Sequence, residues 1–172
     1  DDEEKTALAG LGKKIEAALA TGDPIRAIRP ALVLYCLYAP LHALEGAGRL
    51  LDLDAKALGP DLDRLVRLTL HDHRAEQALK KDIETLAPVA DATSRKVKAQ
   101  YEANPYPRWR FAPAGRFPAV RGIDLGDPLE ILIAGVGTGR QLARVRRDYP
   151  GARVTAVDLS RASIAYALRA AA

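Results

Sequence analysis

A chain of 172 residues suffices for one ordinary domain or two small lobes, and its 48% hydrophobic and 28% charged content excludes a disordered or fibrous protein. The longest strongly apolar run, Ala31 to Ala39, is too short to span a bilayer and ends at Pro40, so no membrane partner is expected. The net charge of +4 hides an asymmetry: residues 1–94 carry 12 Lys/Arg against 16 Asp/Glu, residues 95–172 carry 14 against 6. A basic half permits an anionic partner, but charge alone does not favour nucleic acid.

The chain opens without a basic segment followed by an apolar one, so no secretory signal is expected. Leu8, Leu11, Ile15 and Leu19 recur at helical spacing and predict a helix over 4–20 with one apolar face. Thr21 to Pro24 breaks it, with Asp23 expected as the next N-cap and Pro24 as the first helical residue. Residues 25–44 are apolar on almost every side and predict buried helices bent or split at Pro30 and Pro40, with Tyr35 and Tyr38 in the core. Cys36 lies in this run. A lone cysteine allows no disulfide within the chain and reads as a structural thiol in a reducing cytoplasm.

Gly46, Gly48 and Gly59 bracket a looser stretch, and Pro60 opens a helix whose inner face is Leu62, Leu65, Val66, Leu68 and Leu70. Further helices are expected over 74–86, stopping before Pro88, and over 91–103, capped by Thr93 or Ser94. No strand signal precedes about residue 120. Residues 1–103 therefore read as an all-helical lobe, and residues 104–127 as an ordered linker stiffened by prolines and pinned by Tyr106, Trp109, Phe111 and Phe117.

The second lobe, residues 128–172, opens with the apolar run Glu130 to Ala134, which predicts a strand buried on both faces of a parallel sheet. Gly135, Gly137 and Gly139 follow as GxGxG, where the missing Cβ lets the backbone turn sharply and approach a ligand. A helix over 140–148 begins there and offers free N–H groups suited to a carboxylate or phosphate. Val154 to Val157 is the second strand. It ends in Asp158, whose carboxylate can accept two hydrogen bonds from a ribose diol. A dinucleotide fingerprint needs its third glycine at position 140, which is Arg140.

GVGTGR followed by a strand-terminal acid resembles the cofactor turn of class I S-adenosylmethionine-dependent methyltransferases. Asp91 to Trp109 (DATSRKVKAQYEANPYPRW), GVGTGRQ and AVDLSRASIAYA are together similar to bacterial proteins that join a helical, often tetratricopeptide-type region to such a methyltransferase domain. The similarity covers roughly residues 60–172. It implies an α/β, Rossmann-like fold after the helical lobe, with S-adenosyl-L-methionine as cofactor. Gly135, Gly137 and Gly139 would then contact the methionine end and Asp158 the ribose, while Tyr101, Tyr106, Arg108 and Trp109 would form a lid. Two positions depart from the pattern. Ile133 stands where these enzymes commonly carry an acid, two residues before the first glycine. Asn104-Pro105-Tyr106 looks like the motif of amino-methylating enzymes but precedes the first strand, so no base methylation follows from it.

The acceptor and any general base are expected on strands beyond residue 172, so no catalytic residue is named. The 172-residue chain alone is expected to bind cofactor weakly or not at all and to be inactive, its sheet completed by further chain or by another copy. Two alternatives stay open: a helical interaction module with a vestigial nucleotide site, and a nucleic-acid-binding fragment. His71 and His73 diverge by about 200° on a helix and cannot share a metal. Arg144, Arg146 and Arg147 read as the exposed face of the helix after the turn. Ser160 reads as a helix cap rather than a nucleophile, with no histidine near it in sequence.

Overall fold

The spacing of Leu8, Leu11, Ile15 and Leu19 becomes α1 (Asp2–Thr21), with Ile15 and Leu19 buried. This computed structural model describes residues 2–109, 111 and 128–171. The chain divides into two compact units, Asp1–Arg74 and Ala75–Ala172.

In the first unit, α2 (Ile25–Cys36) follows Pro24, which is itself the N-cap. The expected cap, Asp23, instead accepts the Thr21 hydroxyl hydrogen bond at 2.9 Å. The helix runs through Pro30 without splitting. Pro30 and Arg26 are both exposed, so the Arg26 carbonyl that loses its helical donor can be hydrated. After Cys36 the chain turns and continues as 3-10 segments Leu41–Ala43 and Ala47–Asp52, then the short α3 (Ala55–Leu58), capped by the Asp54 carboxylate on the Ala57 N–H. α4 (Pro60–Val66) has Pro60 in its first turn, as expected. The chain stays helical through a π segment, Arg67–His71, into α5 (Asp72–Asp82). Leu32, Leu41, Leu50, Leu58, Leu62 and Val66 are the centre of this unit's core, all essentially inaccessible. Tyr35 joins it, but Tyr38 does not: it is 67% exposed beside Leu37, because among the described residues no element covers that end of the run. The rings of His42 and His73 stack 3.7 Å apart.

In the second unit, α6 (Ala92–Ala103) is capped by Asp91 rather than by Thr93 or Ser94, its carboxylate accepting the Ser94 N–H at 2.8 Å. Hydrogen bonding from the Ser94 side chain, and after it from the Ser94 N–H, lowers the Asp91 pKa. β1 (Glu130–Ala134), α7 (Arg140–Asp148), β2 (Arg153–Val157) and α8 (Arg161–Ala171) follow. β1 and β2 pair in parallel, with Ile131 opposite Val154 and Ile133 opposite Ala156. Ile133, Val136 and Val145 form the core here, joined by Ile131, Leu142, Val154 and Ile164. Ser160 caps α8, its hydroxyl oxygen accepting the Ser163 N–H at 3.0 Å. Of the linker expected over 104–127, residues 110 and 112–127, Phe117 among them, lie outside the described residues.

The expected fold class needs correction. The described chain is predominantly helical, and its strands are two five-residue segments in a two-stranded sheet, not a Rossmann-like α/β core. The apolar run of β1 suggested cover on both faces, but only the Ile131 and Ile133 side is packed. Leu132, on the other face, is 68% exposed. A parallel sheet hides both faces only when helices lie on each side, and two strands give too little area for that.

Candidate functional site

The site grows out of the parallel pair. The N–H groups of Gly135 and Val136 both donate to the Val157 carbonyl, at 2.9 and 3.1 Å, so the ladder carries the chain past the end of β1 before it turns. Gly135 and Gly137 then take positive φ, +74° and +52°, in the left-handed region where only glycine is free of strain. A Cβ built on either would meet no atom within 4 Å, so open space lies in front of both.

Asp158 ends β2 beside this turn. Its Oδ2 accepts the Gly137 N–H at 2.8 Å and its Oδ1 accepts the Ser160 N–H at 2.9 Å. Two backbone donors fix the carboxylate's orientation, and each oxygen keeps lone-pair capacity for a second donor. A pair of adjacent hydroxyls is the complementary group.

Gly135, Gly137 and Asp158 line a cavity of about 790 Å³, within the usual range for small-molecule sites. The lining also includes residues from the segment after α5 and from α6: Leu86, Val97 and Tyr101, which are apolar, and Glu84 and Lys98, which are charged. Tyr106 reaches the same cavity. Arg161 also lines it, though its guanidinium donates to the Lys80 carbonyl at 2.5 Å.

The sequence-derived residues thus fall into two sets. Gly135, Gly137, Asp158, Tyr101 and Tyr106 share the cavity, whereas Gly139, Arg108 and Trp109 are not among its lining residues. Gly139 (φ +84°) is the N-cap of α7, and a Cβ there would lie 2.6 Å from the Ala167 Cβ. Close packing on α8 is what demands a glycine at this position. Trp109 donates from its indole Nε1 to the Thr138 carbonyl at 2.7 Å, and from its backbone N–H to the Tyr166 hydroxyl oxygen at 2.8 Å. Arg108 lies over the Tyr166 ring, 5.3 Å from its centroid, and pairs with Glu76 at 3.6 Å.

Glu76 escaped the sequence reading. It is 5% exposed and also pairs with Arg169 at 2.9 Å. Nothing in its own helix marks it, because both cations come from distant parts of the chain. Glu84 and Lys98 were missed as well. The one available signal was the apolar stretch around Pro88, which is too polar at Glu84 and Thr85 to be a plain core segment.

Ile133 is 2% exposed and packed in the core, so no carboxylate reaches the turn from that position of β1. Among the described residues, no group of three or more His, Cys, Asp or Glu side chains is arranged to hold a metal ion, and no helix is long and apolar enough to cross a membrane.

No family model matches the chain, and no solved structure matches it. An uncharacterized protein of Synechococcus sp. is 33% identical over 95 residues, covering 47% of this chain and 22% of that protein. The chain therefore spans about a fifth of the length of the curated relative it matches.

Proposed function

We propose that this chain carries the cofactor pocket of an S-adenosylmethionine-dependent methyltransferase. The observation that carries the reading is the shared cavity of Gly135, Gly137 and Asp158, with open space over both glycines and an oriented carboxylate beside them. A nucleoside ribose fits that carboxylate, because its two hydroxyls can each donate to one oxygen. The Thr138 to Gly139 region belongs to the packing behind the turn, so the glycines that meet the cofactor are Gly135 and Gly137. Glu84 and Lys98, which also line the cavity, offer an acid and an ammonium that match a zwitterionic amino-acid end, a role that Ile133 cannot fill. Bound S-adenosylmethionine supplies an activated methyl group, and the protein's contribution to such a transfer is largely positioning. A reducing cytoplasm suits this reading and the single, half-buried Cys36.

Titration with S-adenosylhomocysteine, followed by calorimetry or NMR, tests the proposal. Weak but saturable binding is expected, and Asp158→Ala should lose it while keeping its fold. Absence of saturable binding to the wild-type chain, or equal binding by Asp158→Ala, would overturn it.

A further inference from the structure

The glycine turn is held from behind as well as from the front. In front, the Gly137 N–H is tied to Asp158. Behind, the peptide joining Thr138 to Gly139 is engaged at both ends: its carbonyl accepts the Trp109 indole N–H at 2.7 Å, and its N–H donates to the Val136 carbonyl at 3.0 Å. The Thr138 side chain, 2% exposed, donates from its hydroxyl to the Pro107 carbonyl at 2.6 Å.

The segment that makes these contacts is itself anchored. The Trp109 carbonyl accepts the Tyr166 hydroxyl hydrogen bond at 2.6 Å, and the Trp109 and Tyr166 rings meet edge to face with centroids 6.4 Å apart. Arg108 and Arg169 flank the Tyr166 ring, and the buried Glu76 carboxylate pairs with both. The buried Tyr166 hydroxyl therefore donates to Trp109 and accepts from it, which fixes that residue's backbone on α8.

We infer that Trp109 is a positioning residue for the cofactor turn, acting through the Thr138 carbonyl and never touching the ligand. The inference rests on the proposed pocket for its functional consequence, but the mechanical claim stands apart from which ligand binds. A peptide plane whose carbonyl is buried and fixed cannot rotate. With that plane held, Gly137 is tethered on its C-terminal side as well as through its own N–H on Asp158, which limits the turn's freedom before any ligand arrives. The two glycines at positive φ bring no side chains to the turn, so its rigidity comes from buried Val136, from the Thr138 hydroxyl on Pro107 and from the Trp109 clasp on the Thr138 carbonyl.

Trp109→Phe removes the indole N–H while retaining an aromatic ring against Tyr166. Amide hydrogen exchange read by NMR is the direct test. The Gly137 and Gly139 amides should exchange about three- to tenfold faster in the variant, as expected for the loss of one hydrogen bond, while the Val145 amide on α7 is unchanged. S-adenosylhomocysteine affinity should fall by a similar factor. Thr138→Ala removes only the bond to Pro107 and should loosen the same two amides less; it serves as the probe if Trp109→Phe does not fold. Faster exchange spread evenly over turn and helix in either variant would mean a merely structural role and overturn the inference. So would unchanged exchange at Gly137 and Gly139. Failure of wild-type protein to bind S-adenosylhomocysteine would defeat the methyltransferase reading instead, leaving the exchange result to decide the clasp.

Discussion

Gly139→Ala and Gly137→Ala should have opposite consequences, although the two glycines are separated by one residue and both have positive φ. Placing alanine in the left-handed region costs about 1–2 kcal/mol at either position. At Gly137 that is the whole structural penalty, because the new methyl meets nothing within 4 Å. At Gly139 the methyl would stand 2.6 Å from the Ala167 Cβ and 3.0 Å from its Cα. The second of these is backbone of α8, so relief requires the helix to move, and overpacking of this kind costs about 1–3 kcal/mol more. The expected losses are about 1–2 kcal/mol for Gly137→Ala and about 2–5 kcal/mol for Gly139→Ala, the latter a large part of the usual 5–15 kcal/mol of a domain. Urea denaturation followed by the fluorescence of Trp109, the chain's one tryptophan, reads this unit directly, since its indole binds the turn itself. Ligand affinity should run the other way. The Gly137 methyl enters the cavity and should weaken S-adenosylhomocysteine binding by roughly tenfold or more. The folded fraction of Gly139→Ala should keep most of its affinity. Equal destabilisation by the two variants would refute the claim that Ala167 is what requires glycine at 139.

Two further outcomes follow from titrating groups. Burial pushes the Cys36 thiol up to about 11, so at pH 8 the folded chain should react with iodoacetamide about a hundredfold more slowly than the urea-unfolded chain; matching rates would show that the thiol is not shielded. At Glu102, burial acts to raise the pKa, but the Lys80 hydrogen bond and charge and the Ala162 N–H outweigh it and hold the carboxyl below its usual value. A lowered folded pKa contributes stability that is present above the unfolded value of 4.5 and is lost as pH falls through the lower folded value. Glu102→Gln should therefore flatten the acid limb of the stability curve below that pH and leave the slope at neutral pH alone. An unaltered acid limb would remove Glu102 from the account.

Local pattern was legible in this sequence wherever one segment decided its own structure. The strand at Glu130–Ala134 and the helix at Arg140–Asp148 fall where hydrophobic runs and the glycine turn put them, and the α1 face follows from its spacing. Legibility ended where burial depends on what another segment covers. Tyr38 looked like core because its neighbours in sequence are apolar, yet among the described residues no element packs on that side. Leu132 looked covered for the same reason and is exposed; the expected α/β class gave way because the described residues form one parallel strand pair among helices. Asp91 displaced Thr93 and Ser94 as the cap because its side chain can reach back over the first turn to the Ser94 N–H.

The glycine triplet shows the same boundary inside one motif. Read from sequence, GxGxG is a single signature with one purpose, and all three glycines were assigned to the ligand. In the folded chain Gly135 and Gly137 face open space, whereas Gly139 is pressed against Ala167. Sequence spacing cannot separate these demands, since both produce a glycine: one needs space for a ligand, the other needs the absence of a methyl against a helix. The partner that distinguishes them lies on α8, far along the chain, and the clasp that fixes the residue between them comes from Trp109 on the other side. A turn built this way can change the side of the cavity that meets the ligand while keeping its rear packing. Substitutions at Gly135 and Gly137 should therefore register in binding before stability, and substitutions at Gly139, Ala167 and Tyr166 in stability before binding.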